Sequence, residues 1–597
     1  MKILKKIICY LCLLTSIQLH ADISYHIEVT DPAHHLATVS IEFPNVTTKT
    51  LEVKLPVWRS GRYEILNLSK AISDFTAEHG NGSPINWIKT NKNTWKLMLN
   101  QPGPVTVRYQ VYANTLRYRV AHIDPTHAFL DASGVFMFSP AFREQPLTVE
   151  LKVPKDWRSR SGMTQTGFHS FRADDYDILV DSPIESGLHQ FLSFRVDDQT
   201  YEIVIWGEGN HDIYDLQKHI TALHHVGKEL WGNLPFERYV YMYHAGDGIR
   251  GATEHLNSTI IQQDRFNFKP RASYLKVLAT TAHEFVHTWN VKAYRPAGIA
   301  PYDYSQENYS DLFWMAEGIT SYYDDLFLMR AGIYTPEEYL DKLATDIKSH
   351  LKKPGRHVES LQQTSFDTWL KDNTQRTHNA SVSIYLEGSL TAWLLDQRIR
   401  QLTDNRFSLD ELQRRLYQDH HNSNQGYTTR DVLTVLKDIT GQDMQKFWST
   451  HVEGTGDIDF DELLAFYGLH KVNTASDSEP ASWMGAELET QGGLLQVKTV
   501  DRDGPAWLAG LTAGDQLIAI NDLRLDEKNW SQRVSELSIG QSHEVHYFSA
   551  GRLRTTTLTP ASDPHPDFSI EPVKKPTREQ QRRFKAWTGQ SLSDLTD

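Results

Sequence analysis

Only two cysteines, Cys9 and Cys12, occur in 597 residues, and both lie close to the N-terminus. Disulfides therefore cannot hold the bulk of this chain together, and large hydrophobic cores must do so. An excess of basic residues is also missing. The formal net charge is −14, which excludes a nucleic-acid partner, because phosphate binding needs clustered Lys and Arg. Anionic lipid is disfavoured for the same reason. Past the first twenty residues no apolar run is long enough to cross a bilayer, so no membrane anchor is expected.

The first residues do carry a pattern. Met-Lys-Ile-Leu-Lys-Lys is followed by an apolar run from Ile7 to about Ile17 and then by Leu19-His20-Ala21. A basic head, a short greasy middle and a small residue predict a secretory signal peptide over 1–21, cut near Ala21. Its removal takes Lys2, Lys5 and Lys6, both cysteines, and the charge from −14 to −17. A soluble periplasmic or secreted bacterial protein is the expectation.

Residues 22–200 read as β. Ile23, Tyr25, Ile27 and Val29 alternate with polar residues, as do Val39, Ile41 and Phe43, and Val105, Val107, Tyr109 and Val111. Period two with one apolar face predicts antiparallel sheets packed as a sandwich. The pair His34-His35 reads as a solvated turn, since neither a carboxylate nor a third His accompanies it. Residues 201–470 begin with strands at Tyr201–Ile205 and Tyr239–Tyr243, separated by a helix on Ile213, Leu216, Ile220, Leu223 and Leu230. They continue as mostly helical, predicting an α+β unit. A polar linker is expected at 471–480, a small separate unit at 481–562, and a weakly ordered polar tail with one terminal helix at 563–597.

Within the α+β unit, Thr280-Thr281-Ala282-His283-Glu284-Phe285-Val286-His287 reads HExxH. In a helix, positions i and i+4 share a face, so His283 and His287 can bind one zinc, with Glu284 beside them as a proton acceptor. Leu275, Leu278, Ala282, Phe285 and Trp289 supply an apolar stripe, and Ser273 is the expected N-cap. A catalytic zinc takes a third protein ligand. Glu307 and Glu317 compete for that place. Glu307 lies in a polar, loop-like stretch. Glu317 lies in Phe313-Trp314-Met315-Ala316-Glu317-Gly318-Ile319, where an acid needs a cation to be buried, so Glu317 is favoured.

The run from His283 to Pro296, with Phe313 to Leu326, resembles the glycyl aminopeptidase family of zinc metallopeptidases, gluzincins with a thermolysin-like catalytic domain. Gly251-Ala252-Thr253-Glu254-His255 is similar to that family's G-G-M-E-H segment and departs from it at Ala252 and Thr253. Leu55-Pro56-Val57-Trp58-Arg59-Ser60-Gly61-Arg62-Tyr63 and Tyr385-Leu386-Glu387-Gly388 resemble further family segments. The resemblance implies one zinc per chain and peptide substrates with small N-terminal residues, Gly or Ala. It implies Glu254 as the partner of the substrate amine beside Gly251 and Ala252, and Tyr385 as the oxyanion donor. Asp503 to Asn521 resembles a PDZ domain, which implies a peptide C-terminus as ligand, although Glu487 would stand beside the carboxylate pocket. A PDZ fold used only for packing stays open on that ground. The fold class implied is multidomain α+β: a β-sandwich-like N-terminal domain, a thermolysin-like peptidase domain and a PDZ-like domain. Two other functions remain: an endopeptidase on the same chemistry, and a PDZ-mediated peptide binder with a structural zinc.

Overall fold

A computed structural model describes residues 22–61, 63–370, 374–421, 423–474 and 482–595. The leader expectation, with Cys9 and Cys12, lies outside these residues, as does most of the expected linker. No helix among the described residues is long and apolar enough to cross a membrane.

The chain divides into two compact units. The first comprises residues up to 56, 68–115 and 120–186. Its largest sheet has seven strands, with Ile23–Asp31 between Leu36–Val46 and Leu147–Lys152. The alternation read from sequence is the alternation buried: Ile23, Tyr25, Ile27 and Val29 all face the core. One expectation needs correction. Ile23–Asp31 pairs with Leu147–Lys152 in parallel, so the sheet is mixed. Strands this far apart in sequence are not joined by a tight hairpin, so nothing local forces them antiparallel. His34 sits in an exposed turn, as expected, but a carboxylate does accompany it: its ring meets Asp31, whereas the His35 ring turns onto the Ile123 carbonyl.

The second unit comprises 57–67, 116–119 and everything from 187 onward. Two short segments embedded in the N-terminal β region thus pack with the catalytic half, which no local pattern in the sequence indicates. Its sheet has five strands in the order Gln190–Val196, Gln199–Trp206, Arg238–Gly246, Ser258–Asp264, Gly251–Glu254. The three central strands run parallel, with helix Ile213–Trp231 connecting the first two. Gly251–Glu254 is therefore an edge strand with one side unpaired in the sheet. Helices occupy most of the chain from Arg271 to Phe466.

The small C-terminal unit is a six-stranded sheet around Leu495, Val497, Val500, Leu517, Ile520 and Val545. Helix Gln375–Ala380 holds it. The Gln375 side chain donates to the Val500 carbonyl at 2.7 Å and accepts from its N–H at 2.8 Å, as a neighbouring strand would. His378 meets Asp501 at 2.6 Å.

The described part of the expected tail, 563–595, is not weakly ordered. Lys471, read as the start of a linker, lies in strand Leu469–Asn473, which pairs with Phe568–Pro572. Helix Arg578–Thr588 opens with a Thr577–Gln580 capping box and buries Phe584 and Trp587. Composition hid this, because a charged helix needs only one apolar stripe to dock. Trp587 stacks on Trp393 at 5.4 Å, and its indole N–H donates to Tyr322 at 3.0 Å. Removing a fully buried indole leaves a cavity, so Trp587→Ala is expected to cost about 3–5 kcal/mol. Denaturant unfolding followed by circular dichroism measures this; a midpoint unchanged from wild type would contradict it.

Candidate metal centre and active site

Helix Arg271–Val286 carries the HExxH segment. It starts at Arg271 with Pro270 in the capping position, so Ser273 lies inside the first turn and caps nothing. Proline's fixed φ suits a helix entry, which explains the earlier start. Leu275, Leu278, Ala282, Phe285 and Trp289 are all buried, as the stripe predicts. The helical path continues through His287, whose N–H donates to the His283 carbonyl at 3.2 Å. The two imidazoles consequently face the same point, with their Nε2 atoms 3.1 Å apart.

Helix Phe313–Arg330 brings Glu317 to them. Its Oε2 stands 3.4 Å from His287 Nε2 and 3.7 Å from His283 Nε2. Glu307 lies in a loop and is not in this group. The crossing with helix Leu386–Leu402 is close because two glycines meet there. A Cβ on Gly318 would stand 2.5 Å from the Gly388 Cα, so neither position admits a side chain.

These three residues fit a metal ion. Ligands about 2.0–2.1 Å from a tetrahedral centre stand about 3.3 Å from one another, the spacing seen here. The outer ring nitrogens are already fixed. His283 Nδ1 meets Asp324 Oδ2 at 3.0 Å, and His287 Nδ1 meets the Asn290 carbonyl at 3.0 Å. A carbonyl can only accept, so His287 carries its proton on Nδ1 and its Nε2 is free to ligate. Two Nε2 atoms and a carboxylate turned toward one point form a donor set that suits a metal cation.

The electrostatics agree. Burial works against charge on both rings, yet Asp324 and Glu317 outweigh it and hold His283 well above the usual imidazole range. Burial likewise opposes ionisation of Glu317, but the two histidines hold its carboxylate below the ordinary range. Glu284 is different: burial is its largest influence and pushes it up to about 7. Its Oε2 is enclosed and has no hydrogen-bond partner among the described residues. Glu284 and His283 line a cleft of about 980 Å³.

Four residues escaped the sequence reading. Tyr63 donates to Glu317 Oε1 at 2.7 Å, which leaves Oε2 for the histidines. Nothing local signals this, because the partners are 254 positions apart. Asp324 does have a signal, lying two helical turns after Glu317 on the same face. Asn290 donates to the Met315 carbonyl at 2.8 Å and the Ala316 carbonyl at 3.2 Å, clamping the two ligand helices together. Gly61, at φ +91, presses its Cα so closely on Glu254 that a Cβ would collide with the carboxylate. Tyr63→Phe keeps the ring against Phe313, 4.1 Å away, and removes only the hydroxyl. It is expected to weaken metal affinity about 10–100-fold, measured by competition with a chromogenic chelator. Unchanged affinity would dismiss the hydroxyl's role.

Glu254 ends the edge strand, buried, with Oε1 unpaired among the described residues. The strand Ser258–Asp264 lies between it and the HExxH helix along the chain. Buried Arg59 donates to Thr253 Oγ1 at 3.1 Å, which in turn stands 3.3 Å from Glu254 Oε2. Gly251 and Ala252 line the same cleft as Glu284. Tyr385 immediately precedes helix Leu386–Leu402 and places its ring 6.2 Å from that of His283. It is 43% exposed and lines the same cleft.

Comparison with known proteins places these features. Residues 24–188 match a peptidase M61 N-terminal domain, 276–391 match M61 glycyl aminopeptidase, and 496–538 match a PDZ domain. An aminopeptidase N family protein from Idiomarina loihiensis has the same fold, with a TM-score of 0.88 at 27% identity over 95% of this chain and 100% of its own. An M1 zinc metallopeptidase from Deinococcus radiodurans gives a TM-score of 0.46 at 13% identity, over 73% of this chain and 94% of its own. No functionally curated protein matches the chain. The metal-ligand geometry and the matched segments together mark a zinc metallopeptidase whose catalytic part matches the M61 glycyl aminopeptidase model, followed by a PDZ domain.

Proposed function

We propose that the chain is an aminopeptidase using one zinc ion, held by His283, His287 and Glu317, to remove small N-terminal residues such as Gly and Ala from peptides. The observation that carries this reading is the buried Glu254 carboxylate, its Oε1 unpaired among the described residues, at the end of an edge strand whose Gly251 and Ala252 line the metal cleft. A peptide can add along that edge as a further strand, bringing its protonated amine to Glu254. Gly61 crowding Glu254 limits the room beside the amine, which favours a small first residue.

When bound, zinc supplies Lewis acidity to water and to the scissile carbonyl. Glu284 takes the proton from the attacking water and returns it to the leaving amine. Its burial suits this exchange, because a carboxyl raised toward neutrality both accepts and releases a proton near pH 7. Tyr385 donates a hydrogen bond to the tetrahedral oxygen. The three ligands leave a coordination position for substrate, since no fourth His, Asp or Glu joins the group among the described residues. That arrangement disfavours a purely structural zinc. In the PDZ unit, Glu487 is drawn to Lys498 at 2.9 Å, which lessens its conflict with a peptide carboxylate at the edge strand Ala486–Gln491.

The test is turnover of Gly- and Ala-aminoacyl chromogenic substrates with free and acetylated amines, before and after chelation. Turnover of the free amine only, lost with chelator, is expected. Glu254→Gln removes one partner of a buried charge pair and is expected to cut kcat/KM by about 10²–10³. Equal cleavage of acetylated peptides would instead identify an endopeptidase.

A further inference from the structure

A second cleft, of about 640 Å³, adjoins the active site. Gly61, Tyr63 and Tyr385 form one side of it. Each also belongs to the catalytic surroundings: Gly61 against Glu254, Tyr63 on Glu317, Tyr385 near His283. The rest of the wall includes Trp369, Arg119 and Lys353, with Glu64 as the one acid among the described residues.

Lys353 is the unexplained group. It follows helix Pro336–Leu351 and is half-buried. Burial holds its ammonium below the usual lysine range. Among the described residues no carboxylate stands within ion-pair distance of it. Lys342 in the same helix shows the contrast: it stands 2.8 Å from Asp325 and 2.6 Å from Asp346. A partly desolvated ammonium that lines a cleft and makes no ion pair among the described residues is favoured by a ligand that brings negative charge. Arg119 adds a second cation. Its guanidinium lies 4.2 Å over the Tyr118 ring, and its charge acts on Tyr385.

Building on the aminopeptidase reading, we propose that this cleft binds a carboxylate of the substrate through Lys353, assisted by Arg119. The preferred substrates are then peptides with an acid close to the scissile bond. That acid is either the free C-terminus of a di- or tripeptide or an acidic side chain. A peptide of two or three residues is about 7–11 Å long when extended, the scale of a cleft of this size.

The test compares acid and amide forms within each protein. The zinc-loaded full chain is assayed on Ala-Ala and Ala-Ala-Ala as free acids and as C-terminal amides. Glu- and Gln-anilides, and Ala-Glu-amide with Ala-Gln-amide, supply the side-chain arm. At least one pair is expected to favour the acid about tenfold or more in kcat/KM. Lys353→Met should bring that ratio near unity, and Lys353→Arg should retain most of it. The first pair responding identifies the C-terminus; the others identify a side chain. Because the ratio is internal to each variant, a general loss of activity does not obscure it. Ratios within about twofold in the wild type, or a ratio untouched by Lys353→Met, would overturn the inference. Should no unblocked peptide be turned over at all, the aminopeptidase reading fails instead. Calorimetric binding of the same acid and amide pairs to wild type and Lys353→Met then tests the cleft by itself: tighter binding of the acid, lost in the variant, is expected, and equal binding of acid and amide would overturn the inference.

Discussion

Glu284→Gln is expected to lower kcat by about 10²–10⁴ while metal content stays at the wild-type level. Glutamine keeps the volume and shape of the side chain, so the packing of a residue only 5% exposed is undisturbed. It cannot take a proton from water, and proton transfer is what the enclosed, unpaired Oε2 offers the site. Glu284 is not among the ligand group, so occupancy has no reason to fall. KM should move little, because the residue acts on water and on the leaving amine rather than on the resting peptide. A variant with kcat within a few-fold of wild type would remove Glu284 from the chemistry.

Glu317→Ala should be more damaging still, through metal binding. The carboxylate is 3% exposed and faces two imidazoles, with Tyr63 holding its other oxygen. Without it the Nε2 pair remains, but the anion that offsets the charge of the ion is gone. The Tyr63 hydroxyl then also loses its acceptor inside the fold, which adds the cost of an unsatisfied buried donor. Both occupancy and turnover are expected to fall together, and added zinc in large excess should restore only part of either.

The parts legible in sequence were those that local rules govern. The period-two strands of the first unit, the apolar stripe of helix Arg271–Val286 and the shared face of His283 and His287 all follow from chain geometry. Glu317 was legible because an acid in a wholly apolar helix must meet a cation. Pairing across long separations was not legible. The parallel partner of Ile23–Asp31, the reach of Tyr63 to Glu317 and the Asn290 clamp depend on where the chain returns, which no local pattern encodes. The terminal helix was legible, but its docking was not: the charged composition of the tail hides Phe584 and Trp587, the two anchors that the helix buries. Glycine roles were half visible. Gly318 and Gly388 sit in recognisable motifs, but only the structure pairs them at a helix crossing.

Elemental analysis of purified wild type and Glu317→Ala, run beside turnover of an Ala-aminoacyl substrate, probes the metal centre most directly. The expected result is close to one zinc per wild-type chain, with metal and activity both largely lost in the variant. A wild-type protein free of transition metal yet active, or a variant retaining full metal and full turnover, would contradict the assignment of His283, His287 and Glu317.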